Sequence, residues 1–216
     1  MAGEAPVAYF VTGFGPFQDV PSNPTEQLVA NLTNEEASAS TRVHLQSTLV
    51  VDVDVEGAET AVRALCARVR EAELASRRSV LIHLGVDASL TEYHLERTAF
   101  NEKTFRVPDA SGYQPTGLPI CAEDGGLGCF LRTTIPVDDV VTRLRELGHP
   151  CAASDDAGRY LCNYIYYASL RSAARCTAEG VSCASLFVHV PPFAVIDEAR
   201  QTAFVRDLLR VVAEAG

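Results

Sequence analysis

The chain has 216 residues, of which 47% are hydrophobic and 21% charged, a balance typical of a globular protein with one sizeable core. Its formal net charge of −10, with no stripe rich in Lys and Arg, argues against nucleic acid as a partner because phosphate binding requires clustered cations. No apolar run approaches the roughly 18–20 residues of a membrane span, so no membrane partner is expected. Residues 1–216 contain no linker, repeat or low-complexity segment, which predicts a single domain.

The cysteines and the first residues bear on the cellular compartment. Seven cysteines is an odd number, and they are scattered instead of forming a framework for disulfides. Residues 1–10 lack the basic segment and long apolar run of a secretory leader. We therefore expect a reducing, cytoplasmic setting.

Apolar runs typical of strands alternate with amphipathic patterns typical of helices along the chain. The predicted strands cover residues 7–14, 43–51, 79–85 and 185–190, with a further extended segment at 95–101. The first predicted helix begins at Pro24 with Asn23 as its cap. Three further helices are predicted from Val55 to near Leu74, from Val137 to a stop at Gly148, and over residues 197–215. Residues 107–129 are rich in Gly, Pro and Asp and are interpreted as a long irregular loop. This order predicts an α/β fold with helices on both faces of a largely parallel sheet.

The loop after the first predicted strand is dense in glycine and proline. It places Phe14 and Phe17 just beyond the carboxyl end of a strand, where open α/β sheets bind ligands. Gly13 and Gly15 match part of a dinucleotide fingerprint, but a proline and Phe17 occupy the turn that should run into a helix, so no dinucleotide is expected. The two phenylalanines fit the walls of a ligand slot or ordinary core positions equally well.

Cys162 is the candidate nucleophile. The small and acidic residues 154–156 have the chemistry of a helix start, and Leu161, Ile165 and Ala168 continue at helical spacing. Cys162 then lies within about the first two turns, where the positive end of the helix dipole favours a thiolate. A small buried helix residue is the competing interpretation.

Two further residues fit a thiol mechanism, which needs a histidine to transfer protons and a third group to orient it. His189 ends an apolar run 27 residues after Cys162, a separation of about one helix plus the return to a strand (189 − 162 = 27). Glu96 is the acid best placed near another strand end. His189 also fits a core histidine bonded to backbone, and Glu96 a solvated acid, so spacing alone leaves both interpretations open.

Three blocks of sequence resemble the pyroglutamyl-peptidase I family of cysteine peptidases. The blocks occur in the family's order and span most of the chain; they are Val11-Thr12-Gly13-Phe14-Gly15-Pro16-Phe17 with Asn23-Pro24, Glu96-Arg97-Thr98-Ala99-Phe100-Asn101, and Asp156-Ala157-Gly158-Arg159-Tyr160-Leu161-Cys162-Asn163 with Phe187-Val188-His189-Val190-Pro191. The cysteine block is the most specific. After the second phenylalanine the chain departs from the glycines common in the family, which leaves details of the substrate loop open.

The resemblance implies an enzyme that removes an N-terminal pyroglutamyl residue from peptides, with a three-layer α/β/α sandwich around a twisted mixed sheet. It implies Cys162 as nucleophile, His189 as general base and acid, and Glu96 as the partner that orients the histidine. No metal or cofactor is expected. Because family members occur as monomers and as oligomers, a homo-oligomer is compatible with the sequence.

Pyroglutamate is a neutral lactam, which a flat apolar slot suits better than an acidic pocket. Phe14 and Phe17 are the candidate walls of this slot, and Asn23, from the same block, is a further substrate-binding candidate. Arg106, ten residues after Glu96, is a candidate for stabilising the oxyanion or positioning substrate, and it fits a solvated arginine as well.

Four rival functions have weaker support. A metal site lacks C-x-x-C and H-E-x-x-H patterns, and Cys121 and Cys129 are separated by seven residues. A phosphoryl-transfer or nucleoside enzyme lacks a glycine-rich loop directly after a strand. A redox sensor built on Cys162 would not need His189 or Glu96. A peptidase-like fold acting on another short acyl or amide substrate stays open.

Overall fold

The computed structural model describes residues 6–17, 22–32, 42–72 and 78–215, and strands alternate with helices along these ranges. The strands are β1 (Val7–Phe14), β2 (Val43–Val51), β3 (Arg78–Val86), β4 (Tyr93–Glu96), β5 (Thr98–Phe100), β6 (Phe130–Arg132), β7 (Cys151–Ser154) and β8 (Cys183–Val190). The α-helices are α1 (Pro24–Asn31), α2 (Val55–Ala72), α3 (Val137–Glu146), α4 (Leu161–Ala178) and α5 (Glu198–Glu214). The expected end of the second helix near Leu74 lies outside the described residues.

Six strands form one mixed sheet in the order β2-β1-β3-β8-β4-β7. Four of its five pairings are parallel, and only β4 against β8 is antiparallel. The predicted α/β fold with a mixed, largely parallel sheet is thereby confirmed. The order places β1 beside β3, while the connections from these strands leave in opposite directions along the sheet. Such a switch point opens a crevice at the carboxyl ends of the strands.

Alternating residues of the central strands point to the two faces of the sheet. On one face Tyr9 and Ile82 pack with α1, α3 and α5, and on the other Phe10 and Leu81 pack with α2 and α4. Both faces are therefore apolar, which explains the nearly continuous hydrophobic runs of these strands. The result is a three-layer sandwich, in which α4 packs on one face of the sheet.

The strand β4 enters the sheet against the direction of β8. In the register Leu95 lies opposite Val188 and Glu96 opposite Phe187. Glu96 and His189 are consequently diagonal neighbours on the same face, close enough for long side chains to meet.

The long predicted loop is largely irregular between Val107 and Cys129, with a single turn of 3-10 helix at Ala122–Asp124. The buried Asn101 side chain anchors it, because its amide donates to the carbonyls of Cys121 and Gly125 and accepts from the Cys121 N–H. The strands β5 and β6 at either end of this loop pair as a small antiparallel sheet.

The predicted helix start at residues 154–156 is wrong. Ser154 ends the short strand β7, for which the sequence predicts no strand, and α4 begins at Leu161. Between them Asp156 accepts from the Gly158 N–H, and Gly158 has a φ of 78°. A residue in this left-handed conformation interrupts a helix, so the polar side chains hold a turn instead of capping a helix.

None of the helices in the described ranges combines the length and apolar character needed to cross a membrane.

Candidate active site

Cys162 is the second residue of α4 and lies against the carboxyl end of β3. Gly85, near the end of that strand, leaves room for the thiol, since a Cβ atom there would lie 3.0 Å from Cys162 Sγ and 2.6 Å from Phe187 Cζ. The thiol is partly accessible, whereas Leu161 and Asn163 on either side are buried. The helix start therefore presents the Cys162 thiol to the crevice.

His189 and Glu96 form a buried pair beside this cysteine. His189 Nδ1 lies 2.8 Å from Glu96 Oε1, and the two residues are 7% and 1% exposed. The second carboxylate oxygen of Glu96 is buried and has no hydrogen-bond partner among the described residues. The carboxylate therefore directs its charge at a single neighbour, the imidazole.

The electrostatics of the pair favour a charged imidazole. Burial lowers the pKa of His189, but the negative charge of Cys162 and the hydrogen bond and charge of Glu96 outweigh it and raise the pKa to about 10. An imidazolium beside a thiol favours the thiolate, which is the form in which a cysteine acts as a nucleophile.

Two residues that sequence reasoning missed hold the site together. Asn163 donates to the carbonyls of Phe100 and Glu102 and accepts from the Phe100 N–H, at 2.9, 2.9 and 2.8 Å. Tyr166 donates to the backbone carbonyl of Glu96 at 2.7 Å. An asparagine inside the first turn of a helix is a poor helix former, and that was the available signal of a tertiary role.

The beginning of α4 has free backbone donors. Its cap residue, Tyr160, makes no side-chain capping hydrogen bond. Within the described ranges, the N–H groups of Leu161, Cys162 and Asn163 have no acceptor, as expected for the first positions of an uncapped helix. Such donors beside a nucleophile can bind a developing oxyanion.

A cavity of about 350 Å³ opens beside Cys162. Its lining is mainly aromatic and aliphatic and consists of Phe14, Phe17, Asn23, Val53, Val86, Arg106, Val107, Tyr160, Leu161 and Cys162. Phe17 and Tyr160 have ring centroids 5.8 Å apart. The switch point between β1 and β3 therefore carries an apolar slot of the size of a small-molecule site.

The four substrate-binding candidates all line this slot, but in different ways. The Asn23 side chain is occupied, because it donates to the Gly15 carbonyl at 3.0 Å and accepts from the Thr25 N–H at 3.1 Å. It thereby fixes the loop that carries Phe17. Arg106 is exposed, and its guanidinium makes no hydrogen bond or ion pair in the described part of the chain.

A larger cleft of about 1140 Å³ meets the slot at Cys162. Both are lined by Val86, Arg106 and Tyr160, but His189 borders the larger one only. Cys162 thus lies where two compartments join, with His189 on the side of the larger compartment.

All seven cysteines are free thiols. Among the described residues, no group of three or more His, Cys, Asp or Glu side chains could hold a metal ion.

The sequence profile described as pyroglutamyl peptidase matches residues 7–205. The chain is 30% identical over 181 residues to a pyrrolidone-carboxylate peptidase of Cupriavidus pinatubonensis, covering 84% of this chain and 76% of that protein. A pyrrolidone-carboxylate peptidase of Pyrococcus furiosus is 31% identical over 190 residues, or 87% and 83% of the two chains. The crystal structure of pyrrolidone carboxyl peptidase from Thermus thermophilus has a TM-score of 0.72 and 32% identity, covering 93% of this chain and 98% of that one. The chain therefore belongs to the pyroglutamyl peptidase family.

Proposed function

We propose that this protein hydrolyses the amide bond that follows an N-terminal pyroglutamyl residue of a peptide. The observation that carries the proposal is the convergence of a thiol, a histidine and a carboxylate where an apolar slot meets a larger cleft. Cys162 is the nucleophile, His189 the general base and acid, and Glu96 the residue that orients and charges the imidazole.

The lactam ring binds in the slot and the peptide that leaves binds in the larger cleft. Phe14 and Phe17 provide flat apolar contacts for the five-membered ring, and backbone N–H and C=O groups are the partners for its amide. Among the described residues that line the slot none carries a carboxylate, and pyroglutamate has no N-terminal ammonium that would need one. Proline lacks the lactam carbonyl, so it would leave polar groups of the slot unpaired.

Catalysis begins when the Cys162 thiolate attacks the pyroglutamyl carbonyl carbon. The N–H groups at the start of α4 bind the oxyanion, and Arg106 positions the substrate at the junction of the two compartments. His189 gives its proton to the leaving nitrogen as the C–N bond breaks, which produces a free amine and a thioester. His189 then takes a proton from water, whose oxygen attacks the thioester, and the C–S bond breaks to return the thiolate and release 5-oxoproline.

Hydrolysis of pyroglutamyl and prolyl fluorogenic amides under reducing conditions tests this proposal. We expect turnover of the pyroglutamyl amide and a rate for the prolyl amide lower by about 10⁴-fold. His189→Ala separates the peptidase from a redox sensor, since a sensor retains its reactivity toward peroxide whereas a peptidase loses turnover. Equal rates on the two amides, or no turnover by folded protein, would reject the assignment.

The same proposal includes a single catalytic domain and a reducing, cytoplasmic location. The unbroken sheet supports the first, because both compartments are built from strands and loops of one sheet. The seven free thiols support the second, since oxidation of Cys162 would remove the nucleophile.

A further inference from the structure

The larger cleft carries an acidic side chain that the mechanism above does not use. Asp87 follows β3 directly and lines this cleft together with Cys162 and His189, but it does not line the slot. Its backbone is fixed beside β8, because the Asp87 N–H donates to the Val190 carbonyl at 3.0 Å. The carboxylate therefore stands on the leaving-group side of the nucleophile.

Hydrogen bonds hold the Asp87 carboxylate in place through one oxygen and leave the other available to bind a ligand. Its Oδ1 atom accepts from the N–H and the hydroxyl of Ser89, at 2.9 and 2.7 Å. Its Oδ2 atom has no partner in the part of the chain that the structure describes. Burial raises the pKa of this carboxyl, but the hydrogen bonds from Ser89 and the charge of His189 outweigh burial, so the net pKa is lowered. Asp87 therefore stays ionised at neutral pH.

The cations of the cleft do not cancel this charge. Arg159 is bound to other carboxylates, with Nε 3.2 Å from Glu102 and Nη1 2.6 Å from Asp156. Arg106 belongs to the junction, since it lines the slot as well, and it makes no ion pair with Asp87. The His189 imidazole faces the same cleft but is paired with Glu96. Among the described residues of the cleft wall, Asp87 is thus the one carboxylate outside an ion pair.

From this placement we infer that Asp87 is a specificity-determining residue, which favours pyroglutamyl peptides whose second residue is cationic, such as Lys or Arg, over those whose second residue is acidic. The inference rests on the proposed function, because it assigns the larger cleft to the leaving peptide. A carboxylate with a free oxygen stabilises a nearby ammonium or guanidinium and repels a carboxylate. The net charge of −10 adds a long-range attraction for cationic peptides.

The test compares three peptides that differ only in the second residue, pyroglutamyl-Lys, pyroglutamyl-Ala and pyroglutamyl-Glu with a common C-terminal amide. Release of 5-oxoproline is measured by liquid chromatography to give kcat/KM. We expect the order Lys, Ala, Glu in the wild type, and a Lys-to-Glu ratio that decreases as salt rises. We expect D87N to lower this ratio by about three- to fivefold, the range of a partly exposed charge pair.

Two variants serve as controls. Asp87→Glu keeps the charge and is expected to retain the preference. Asp139→Asn removes an exposed carboxylate that lines neither compartment, so it separates the local contact from the general negative field. We expect D139N to leave the ratio within a factor of about 1.5, because salt screens an exposed charge that borders neither compartment.

The outcomes separate this inference from the proposed function. Turnover of the Ala peptide with equal rates for Lys and Glu would overturn the role of Asp87 and leave the peptidase intact, whereas no turnover of any peptide would reject the peptidase itself. A preference for Glu would assign specificity to Arg106 and contradict the inference. If D87N fails to fold, a wild-type ratio that does not respond to salt overturns it as well.

Discussion

The contact between His189 and Glu96 depends on one carboxylate oxygen. Glu96 Oε1 lies 2.8 Å from His189 Nδ1, while Oε2 is buried and without a partner among the described side chains and backbone groups. A buried charge that is paired once is stable only while that partner is charged or donates a strong hydrogen bond. The pair therefore contributes, after the charge of Cys162, to the raised pKa of the imidazole.

Replacing the carboxylate by an amide of the same shape tests this role. We expect Glu96→Gln to lower kcat by about 10²- to 10⁴-fold with little change in KM, because the amide does not stabilise an imidazolium or impose its orientation. Glu92→Gln is the matched control. Its carboxylate lies 4.0 Å from His94 outside both compartments, so its kcat should stay within about twofold of wild type. Equal kinetics for E96Q and wild type would show that Glu96 has no part in turnover.

The start of α4 is attached to the sheet by contacts on both sides of the nucleophile. The Asn163 amide bonds the backbone of residues 100 and 102, and Gly85 of β3 lies directly under Cys162 Sγ. A helix end fixed in this way holds a side chain with the precision that a near-attack geometry requires.

Removing the Asn163 amide should cost both stability and activity. Asn163→Ala removes three part-buried hydrogen bonds to the backbone of Phe100 and Glu102, for which we expect a loss of about 2–4 kcal/mol in the free energy of unfolding and a fall in kcat. Urea denaturation measures the first. Asn31→Ala, which removes one exposed hydrogen bond to Glu198, should cost less than about 0.5 kcal/mol. Similar losses for the two variants would contradict the account of Asn163.

Filling the space at Gly85 should displace the nucleophile. A Cβ atom there would lie 2.6 Å from Phe187 Cζ and 3.0 Å from Cys162 Sγ, so one of these side chains must move. We expect Gly85→Ala to lower kcat/KM by about 10²-fold, the effect of a misplacement of about 1 Å. Gly126→Ala adds a methyl group that meets nothing within 4 Å, and it should leave kcat/KM unchanged. Normal activity of G85A would show that the thiol tolerates displacement.

At the level of elements, hydrophobic periodicity predicted the buried strands and the long helices well. The strand β7 was not predicted, because Cys151-Ala152-Ala153-Ser154 has no β-branched or aromatic residue and so lacks the composition typical of a strand. The start of α4 was misplaced because acidic and small residues favour turns as well as helix caps, and the conformation of Gly158 decides between the two.

A buried polar network connects the sheet to α4 at the centre of the molecule. Thr12 Oγ1 and His83 Nδ1 are 2.8 Å apart, as are His83 Nε2 and Ser169 Oγ, and Ser169 Oγ and Ser185 Oγ. All four residues are essentially inaccessible. Burial lowers the pKa of His83 to about 3, so the imidazole is neutral in the folded protein.

This histidine should make the protein sensitive to acid. Because its pKa is about 3 when folded and 6.5 when unfolded, its contribution is present above pH 6.5 and is lost as the pH falls toward 3. Between pH 7.5 and 5 the loss amounts to about 2 kcal/mol. We expect the difference in unfolding free energy between wild type and His83→Asn to narrow by that amount. His44→Asn, which removes an exposed imidazole, should give a curve parallel to wild type. A parallel curve for H83N would contradict the prediction.

For the whole molecule, the resemblance of three sequence blocks to one family predicted which residues meet, but the sequence did not predict the geometry of their contact. Periodicity alone left Glu96 and His189 open to ordinary structural roles, and the resemblance to a family of known sites joined them. Their contact depends on β4 running against β8, a pairing between segments 93 residues apart that no local pattern records. The contacts of Asn163 and Tyr166 could not be predicted for the same reason, since their partners are backbone groups distant in sequence.

The measurement that tests the central claim most directly is turnover of a pyroglutamyl amide by Cys162→Ser, with Cys129→Ser as the matched control. Cys129 is an exposed free thiol, whereas Cys162 lies between the slot and the cleft. We expect C162S to lose activity by about 10³-fold or more and C129S to retain it, because a serine hydroxyl is a far weaker nucleophile than a thiolate paired with an imidazolium. Activity of C162S within tenfold of wild type, or loss of activity in C129S alone, would contradict the account.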